Sequence, residues 1–157
     1  MVIVDAQSVK NSESAHVKGY DGGKHVSGIK RHVAVDTQGL PHAFTITAAN
    51  ISDRAGALHM IEAAKEPLRL VEKVLVDGAY TGAAFAKEVD DLIAAGVEVA
   101  KRSDTPGFVV IPKRWVVERS FSWLEKCRRL WKNCERLVSS SLAMMQLAFI
   151  RILLNRS

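Results

Sequence analysis

Val71–Tyr80 reads VEKVLVDGAY, and the fold is decided by how this stretch is read. Val74, Leu75 and Val76 form a continuous apolar run, the pattern of a strand buried on both faces. The run stops at Asp77, with Gly78 behind it and a helical pattern after Thr81. A carboxylate at the carboxyl end of a buried strand lies where open α/β sheets bind ligands. Taken alone, the stretch favours a turn aspartate that caps the following helix. A functional role requires other carboxylates to converge on it.

Composition sets the frame. The 157 residues are 48% hydrophobic and 25% charged, the balance of an ordinary globular protein, and suffice for a single domain over 1–157 with its own core. Asp5 ends the apolar start, so no secretory leader is expected. The most apolar segment, Leu142–Leu154, is interrupted by Gln146 and Arg151, so no membrane span is expected either. Cys127 and Cys134 fall on a helical pattern, on one face and about 10 Å apart along the axis. That is too far for a disulfide, and no zinc-type spacing accompanies them. Reduced core thiols and a cytoplasmic location are expected.

The net charge of +5 is concentrated. Between Lys113 and Arg136 stand eight basic residues (Lys113, Arg114, Arg119, Lys126, Arg128, Arg129, Lys132, Arg136) and three acidic ones (Glu118, Glu125, Glu135). The remainder is neutral. Such a focus suits a polyanionic partner, most often nucleic acid. A solvated helix face accounts for it equally well.

In chain order, Met1–Val4 is a short apolar strand that reaches Asp5 and continues to Lys10. Asn11–Gly23 is polar and ends in Gly19-Tyr20-Asp21-Gly22-Gly23, a loop or tight turn. Lys24–Asp36 and Leu40–Thr47 form a hairpin around Asp36-Thr37-Gln38-Gly39, with Asp36 read as a turn residue. Lys24, Lys30 and Arg31 fit phosphate contacts or a solvated hairpin edge. Asn50, Ser52 and Asp53 suit the N-cap of a helix with a stripe of Ala57, Leu58, Ile61 and Ala64, and Pro67 lies past its end. After the strand to Asp77 come a helix over Gly82–Ala95, ended by Gly96, a strand over Val97–Ala100, and a loop over Lys101–Val110. A long helix from Pro112 carries the seam Val117, Phe121, Leu124, Cys127, Trp131 and Cys134. The last helix, Ser141–Leu154, is apolar on nearly every side, so it must pack into the domain or against another subunit.

The resulting order β, β, β, α, β, α, β, α, α predicts an α/β protein. It matches the ribonuclease-H-like fold, a mixed sheet of about five strands flanked by helices, with C-terminal helices. In that fold the first and fourth strands are neighbours, which sets Asp5 beside Asp77, and a late-helix carboxylate completes the group. Glu118 is the candidate.

The chain resembles the DDE transposases of bacterial insertion sequences along essentially its whole length. The matching stretches are Asp5-Ala6-Gln7-Ser8-Val9-Lys10, Gly19-Tyr20-Asp21-Gly22-Gly23-Lys24, Lys30-Arg31-His32 with Val35-Asp36, and Ala48-Ala49-Asn50 through Asp53-Arg54. They continue through Asp77-Gly78-Ala79-Tyr80 and Arg114-Trp115-Val116-Val117-Glu118-Arg119 to Phe121, Trp123-Leu124 and Arg128-Arg129-Leu130. The resemblance implies a catalytic and metal-binding triad of Asp5, Asp77 and Glu118. The family signature around the glutamate is Y-x2-R-x3-E-x6-K. Arg114 and Glu118 are kept, Ile111 takes the tyrosine position, and Glu125 takes the lysine position with Lys126 next to it. Only 40 residues separate Asp77 from Glu118, a compact core without the insertion of larger relatives.

The resemblance also implies the chemistry. In-line displacement at phosphorus is served by two Mg²⁺ ions, with Mn²⁺ as substitute, about 3.5–4 Å apart. Asp5 is expected to bridge both ions, with Asp77 and Glu118 each holding one. Water attacks in cleavage and a 3′-hydroxyl in strand transfer. Arg114, Arg119, Lys126, Arg128 and Arg129, with Lys24, Lys30 and Arg31, are the expected DNA contacts; Arg114 could instead orient Glu118. The implied partners are double-stranded DNA, as terminal inverted repeats and target, and a second copy of the chain on DNA. A nucleoid-associated location follows. The N-terminal helical region usual in the family is expected in an upstream reading frame or lost by truncation. A non-catalytic, regulatory DNA-binding fragment is the main alternative, and a structure-specific nuclease of the same fold is a weaker one.

Overall fold

A computed structural model describes residues 1–100 and 115–155. Its centre is β1 (Val2–Lys10), which lies antiparallel to β3 (Val26–Val35) with Asp5 opposite Val33 and Gln7 opposite Arg31. The far edge of β3 is shared by β2 (Gly19–Asp21) and β4 (Pro41–Ala48). On its other side β1 runs parallel to β5 (Lys73–Val76), which is parallel to β6 (Gly96–Val99). The mixed sheet of the α/β, ribonuclease-H-like reading is therefore present, with six strands among the described residues. The short β2 lies inside the segment read as loop. Three residues are too few to show a two-residue alternation above the polar background.

Residue parity along the strands builds two cores. Val2, Val4, Val74 and Val76 face one side with α1 (Asp53–Ala63), α2 (Lys65–Leu68) and α3 (Ala83–Ile93), through Met60, Ile61, Leu68, Phe85 and Val89. Ile3, Val9, Val33, Val35 and Leu75 face the other side, against α4 (Trp115–Glu125) and α5 (Val138–Leu154). There Val117, Phe121 and Leu124 pack with Met145 and Phe149, whose ring lies 5.2 Å from that of Phe44. Alternation along a strand thus sends odd-numbered residues of β1 toward α4.

Local chemistry sets the ends. Ser52 is the N-cap of α1, its hydroxyl accepting from the Ala55 amide at 3.2 Å. Pro67 lies past the end of α1, as expected, and falls in the separate short α2, where its missing N–H costs nothing in a first turn. The hairpin turn is held by Asp36, whose Oδ1 accepts from the Gln38 and Leu40 amides, while Gly39 takes φ +85°. Helix α3 ends at Ala94 in the left-handed region (φ 52°), and Gly96 opens β6 instead of ending the helix.

The long C-terminal seam is the main correction. Helix α4 stops at Glu125; Val117, Phe121 and Leu124 are buried, but Trp131 is 67% exposed and Cys134 is exposed. The segment after it is captured by the end of β1. Asn133 N–H donates to Lys10 O, Ser12 N–H to Asn133 O, and Asn133 Nδ2 to Asn11 Oδ1. Ser141 Oγ donates to Asn133 Oδ1 at 2.7 Å, and Leu130 is buried in place of Trp131. Long-range backbone bonds outweigh a helical periodicity worth only tenths of a kcal/mol per residue. The two cysteines do not share a helix face, and among the described residues the excess positive charge lies in the turns behind α4, on Lys126, Arg128, Arg129, Lys132 and Arg136 against Glu135, whereas α4 itself holds Arg119 with Glu118 and Glu125. Start and course of the chain over 101–114, including the expected loop and the helix start at Pro112, lie outside the described residues. Among the described residues no helix is long and apolar enough to cross a membrane.

Candidate active site

Asp5 and Asp77 meet at the centre of the sheet. Val2 pairs with Val74 and Ile3 with Leu75 in the parallel register, and two further steps set Asp5 beside Asp77. Both line a small cleft with Ile3, Val4, Leu75, Val76, Ala100 and Val117. Asp5 Oδ1 accepts from the Ala6 amide at 2.7 Å, and Asp77 Oδ1 accepts from the Ala79 amide at 2.9 Å. The second bond caps the 3₁₀ turn Gly78–Tyr80. Asp77 is therefore a capping residue at the strand end and also a neighbour of Asp5; the cap fixes one oxygen of the carboxylate.

Glu118 follows Val117 in the first turn of α4, and Val117 forms the α4 wall of the cleft. Glu118 itself is exposed. Among the described residues no three Asp, Glu, His or Cys side chains are gathered closely enough to hold a metal ion. The structure thus joins Asp5 with Asp77 and brings the helix of Glu118 to the same cleft without closing a three-carboxylate cluster. The Asp5–Asp77 pair is nevertheless a fitting donor set for a hard divalent cation: carboxylate oxygens at the mouth of an apolar cleft.

The basic residues separate into different groups. Arg31 is 1% exposed and donates from Nη2 to Leu130 O at 2.7 Å, so it anchors the C-terminal turn. Its Nε and Nη1 have no hydrogen-bond partner among the described residues. Burial pulls its pKa down to about 10, against the attraction of Glu125 and Cys127, so it remains a cation at neutral pH. Lys30 is 5% exposed, with Nζ 2.8 Å from Asp53 Oδ1, 3.2 Å from Asp21 Oδ2 and 2.8 Å from Ile51 O. Neither residue has surface left for a DNA phosphate, and the hairpin-edge alternative fails as well, because both are inside. Sequence reading went astray because helix α1 and the 126–137 segment cover this strand from elements distant in sequence. Arg119 is stacked between Trp115 and Trp123, its Cζ 4.5 and 4.9 Å from their ring centres, and donates to Gln38 O at 2.7 Å. Lys24, Lys126, Arg128 and Arg129 remain at the surface, Arg129 paired with Glu135 at 2.5 Å. Arg114 lies outside the described residues.

Behind the aspartate pair, on the α1 side, is a charged network that no single motif announced. Ser8 Oγ donates to Asp21 Oδ2 at 2.6 Å, and the Gly23 and Lys24 amides donate to Asp21 Oδ1. The Ser8 hydroxyl, the Lys24 amide and Lys30 hold Asp21 well below the usual carboxylate range despite its burial. Lys24 Nζ donates to Ala6 O at 3.0 Å, one residue from Asp5, and lies 3.7 Å from Asp53. Tyr80 is buried, and its hydroxyl has no hydrogen-bond partner among the described residues. Burial, then the charges of Asp5, Asp53 and Asp77, push its ionisation far up, so the hydroxyl keeps its proton.

His32 lies between this network and α1. It is fully buried, bonded to Thr47 Oγ1 at 2.9 Å, and a Cβ at Gly56 would come within 2.0 Å of its ring. Burial lowers its pKa from 6.5 to about 4; Asp53 opposes the shift while Lys30, Lys24 and His59 assist it. Between those values the unfolded chain binds a proton that the folded chain does not. Stability is full above pH 6.5 and falls as pH drops toward 4, by about 3 kcal/mol in all. Urea unfolding at pH 7 and pH 4.5 measures this; His32→Gln should flatten that part of the profile, and an unchanged slope contradicts the assignment.

Comparison with known proteins agrees with this geometry. The family model described as Transposase DDE domain matches residues 1–153. The chain is 33% identical over 118 residues to a putative transposase for insertion sequence element IS402 from Burkholderia cepacia, covering 69% of this chain and 54% of that protein. The chain spans about half the length of the relative it matches. No solved structure matches it. With a family match across nearly its whole length, and with Asp5 of β1 and Asp77 just past β5 lining one cleft, this chain belongs to the transposase DDE domain family.

Proposed function

We propose that residues 1–157 form a single catalytic domain of an insertion-sequence transposase that cuts and joins DNA strands, with Asp5, Asp77 and Glu118 as its metal-binding carboxylates. The observation that carries this reading is the parallel pairing of β1 with β5, with Asp5 and Asp77 lining one cleft, in a chain of this family. When bound, two Mg²⁺ or Mn²⁺ ions supply Lewis-acid charge at the phosphorus oxygens. The protein's own work is to hold the carboxylates still. The Ala6 amide orients Asp5 and the Ala79 amide orients Asp77. Ile3, Leu75, Ala100 and Val117 give the cleft an apolar wall that limits water. Helix α4 supplies Glu118 and, with Arg114, Lys126, Arg128 and Arg129, a positive approach for the backbone of double-stranded DNA. Arg119 serves this face by fixing Trp115 and Trp123. The partners are terminal inverted repeats, target DNA and a second copy of the chain on DNA, in the nucleoid.

Incubation of the chain with supercoiled plasmid bearing the element's terminal repeats tests the reading. Nicked product is expected with Mg²⁺ or Mn²⁺ and none with EDTA. Plasmid bound but never nicked, with either ion, would favour a regulatory DNA-binding fragment.

A further inference from the structure

Beside the aspartate pair is a second cleft, lined by Gly23, Lys24, Lys30, Ser52, Asp53, Arg54 and Ala79. Arg54 has a distinct position in it. Its Nε donates to Ala79 O at 2.9 Å, and the amide of the same Ala79 donates to Asp77 Oδ1 at 2.9 Å. One residue thus carries both contacts, so the guanidinium grips the turn that orients Asp77. A Cβ added at Gly82 would lie 3.8 Å from Arg54 Nη1, so the head group lies along the 79–82 turn. Arg54 is exposed, and the Nε bond is the one hydrogen bond of its side chain among the described residues. Its Nη groups therefore have donors to spare, and the residue lines the cleft. Lys24, with its side chain 44% exposed, faces the same cleft and reaches Ala6 O next to Asp5. Asp21 and Asp53 are compensated by Lys30 and Lys24, and Arg54 leaves the lining with a net positive charge.

We propose that Arg54 is a positioning residue that links a docked DNA phosphate to the Asp77 turn, its Nε holding Ala79 while its Nη groups, with Lys24, take the phosphate. The planar fork of a guanidinium can do both at once; a lysine ammonium can serve only one of the two. The inference rests on the transposase reading of Asp5 and Asp77, and it adds a reciprocal consequence. If phosphate docking tightens the Asp77 turn, DNA and divalent metal must raise each other's affinity.

The test uses the full chain, a duplex oligonucleotide and Mn²⁺ followed by electron paramagnetic resonance. In the wild type, duplex should tighten Mn²⁺ binding by about fivefold or more. Arg54→Gln keeps an N–H for Ala79 O but loses the charge. Its Mn²⁺ affinity without DNA should stay within about twofold, its DNA-binding slope against log salt should fall by about 1, and the DNA–Mn²⁺ coupling should vanish. Arg54→Lys should keep the salt slope and also lose the coupling. Coupling that survives in both variants overturns the link. So does an unchanged salt slope in Arg54→Gln with Mn²⁺ affinity reduced equally in both variants, which is a purely structural role. A wild type that binds duplex but no Mn²⁺ overturns the metal-site reading itself, and the inference with it.

Discussion

Asp77→Asn is expected to lower Mg²⁺-dependent nicking by about 10³-fold or more, a loss of about 4 kcal/mol of transition-state stabilisation, with the fold unchanged. Asparagine is nearly isosteric, and its Oδ1 can still accept from the Ala79 amide, the bond that caps the 3₁₀ turn. What disappears is the negative charge beside Asp5. Asp77→Ala should be as inactive but also lose the cap, costing about 1 kcal/mol of stability. The pair of variants separates the two roles that sequence alone left in competition: both inactive, but only the alanine variant with a lower unfolding temperature. Nicking retained in Asp77→Asn within tenfold of wild type would remove Asp77 from the metal site.

Lys30→Met is expected to destabilise the chain by about 4 kcal/mol, because removing one partner of a buried ion network leaves the others uncompensated. Methionine fills the volume of the lysine stem but leaves Asp21 and Asp53 facing a space without a cation, where Nζ stood 3.2 and 2.8 Å away. Lys24, at 3.7 Å from Asp53 and partly solvated, covers only part of the deficit. For a domain of this size the unfolding temperature should fall by roughly 10 °C. The deficit should depend on pH in a defined direction. Asp21 is depressed in the fold, so its contribution is full above the ordinary carboxylate value of 3.8 and is lost as pH falls below it. Wild type and variant should therefore differ fully at pH 7 and converge at strongly acidic pH. A difference under about 1 kcal/mol at pH 7, or one that does not narrow in acid, would show that Lys30 is not the counter-ion of this network.

The same two residues show where sequence reading succeeds and where it fails. VLVD is legible because a strand buried on both faces must be continuously apolar, and the carboxylate that ends it falls at a ligand-binding edge. The ribonuclease-H-like fold that the element order matches makes the first strand and this one neighbours, and β1 indeed pairs in parallel with β5. Lys30 looked like a surface cation because lysines almost never lie fully inside. Its burial depends on Asp21, Ile51 and Asp53, residues from two other elements, which no local pattern reveals. Arg54 was equally hidden: its role comes from reaching Ala79, 25 positions away.

The sequence by itself determined the α/β class, the aspartate that ends the VLVD strand, the hairpin at Asp36–Gly39 and the family, because each rests on local alternation, turn chemistry or an ordered set of short motifs. Only the tertiary structure decided that α4 ends at Glu125, that Arg31 and Lys30 are interior cations, and that Arg54 grips the Asp77 turn. The physical reason is the same in each case. Helical periodicity and residue polarity are weak local preferences, and they yield where distant backbone groups and buried charges offer hydrogen bonds and ion pairs that no solvent replaces.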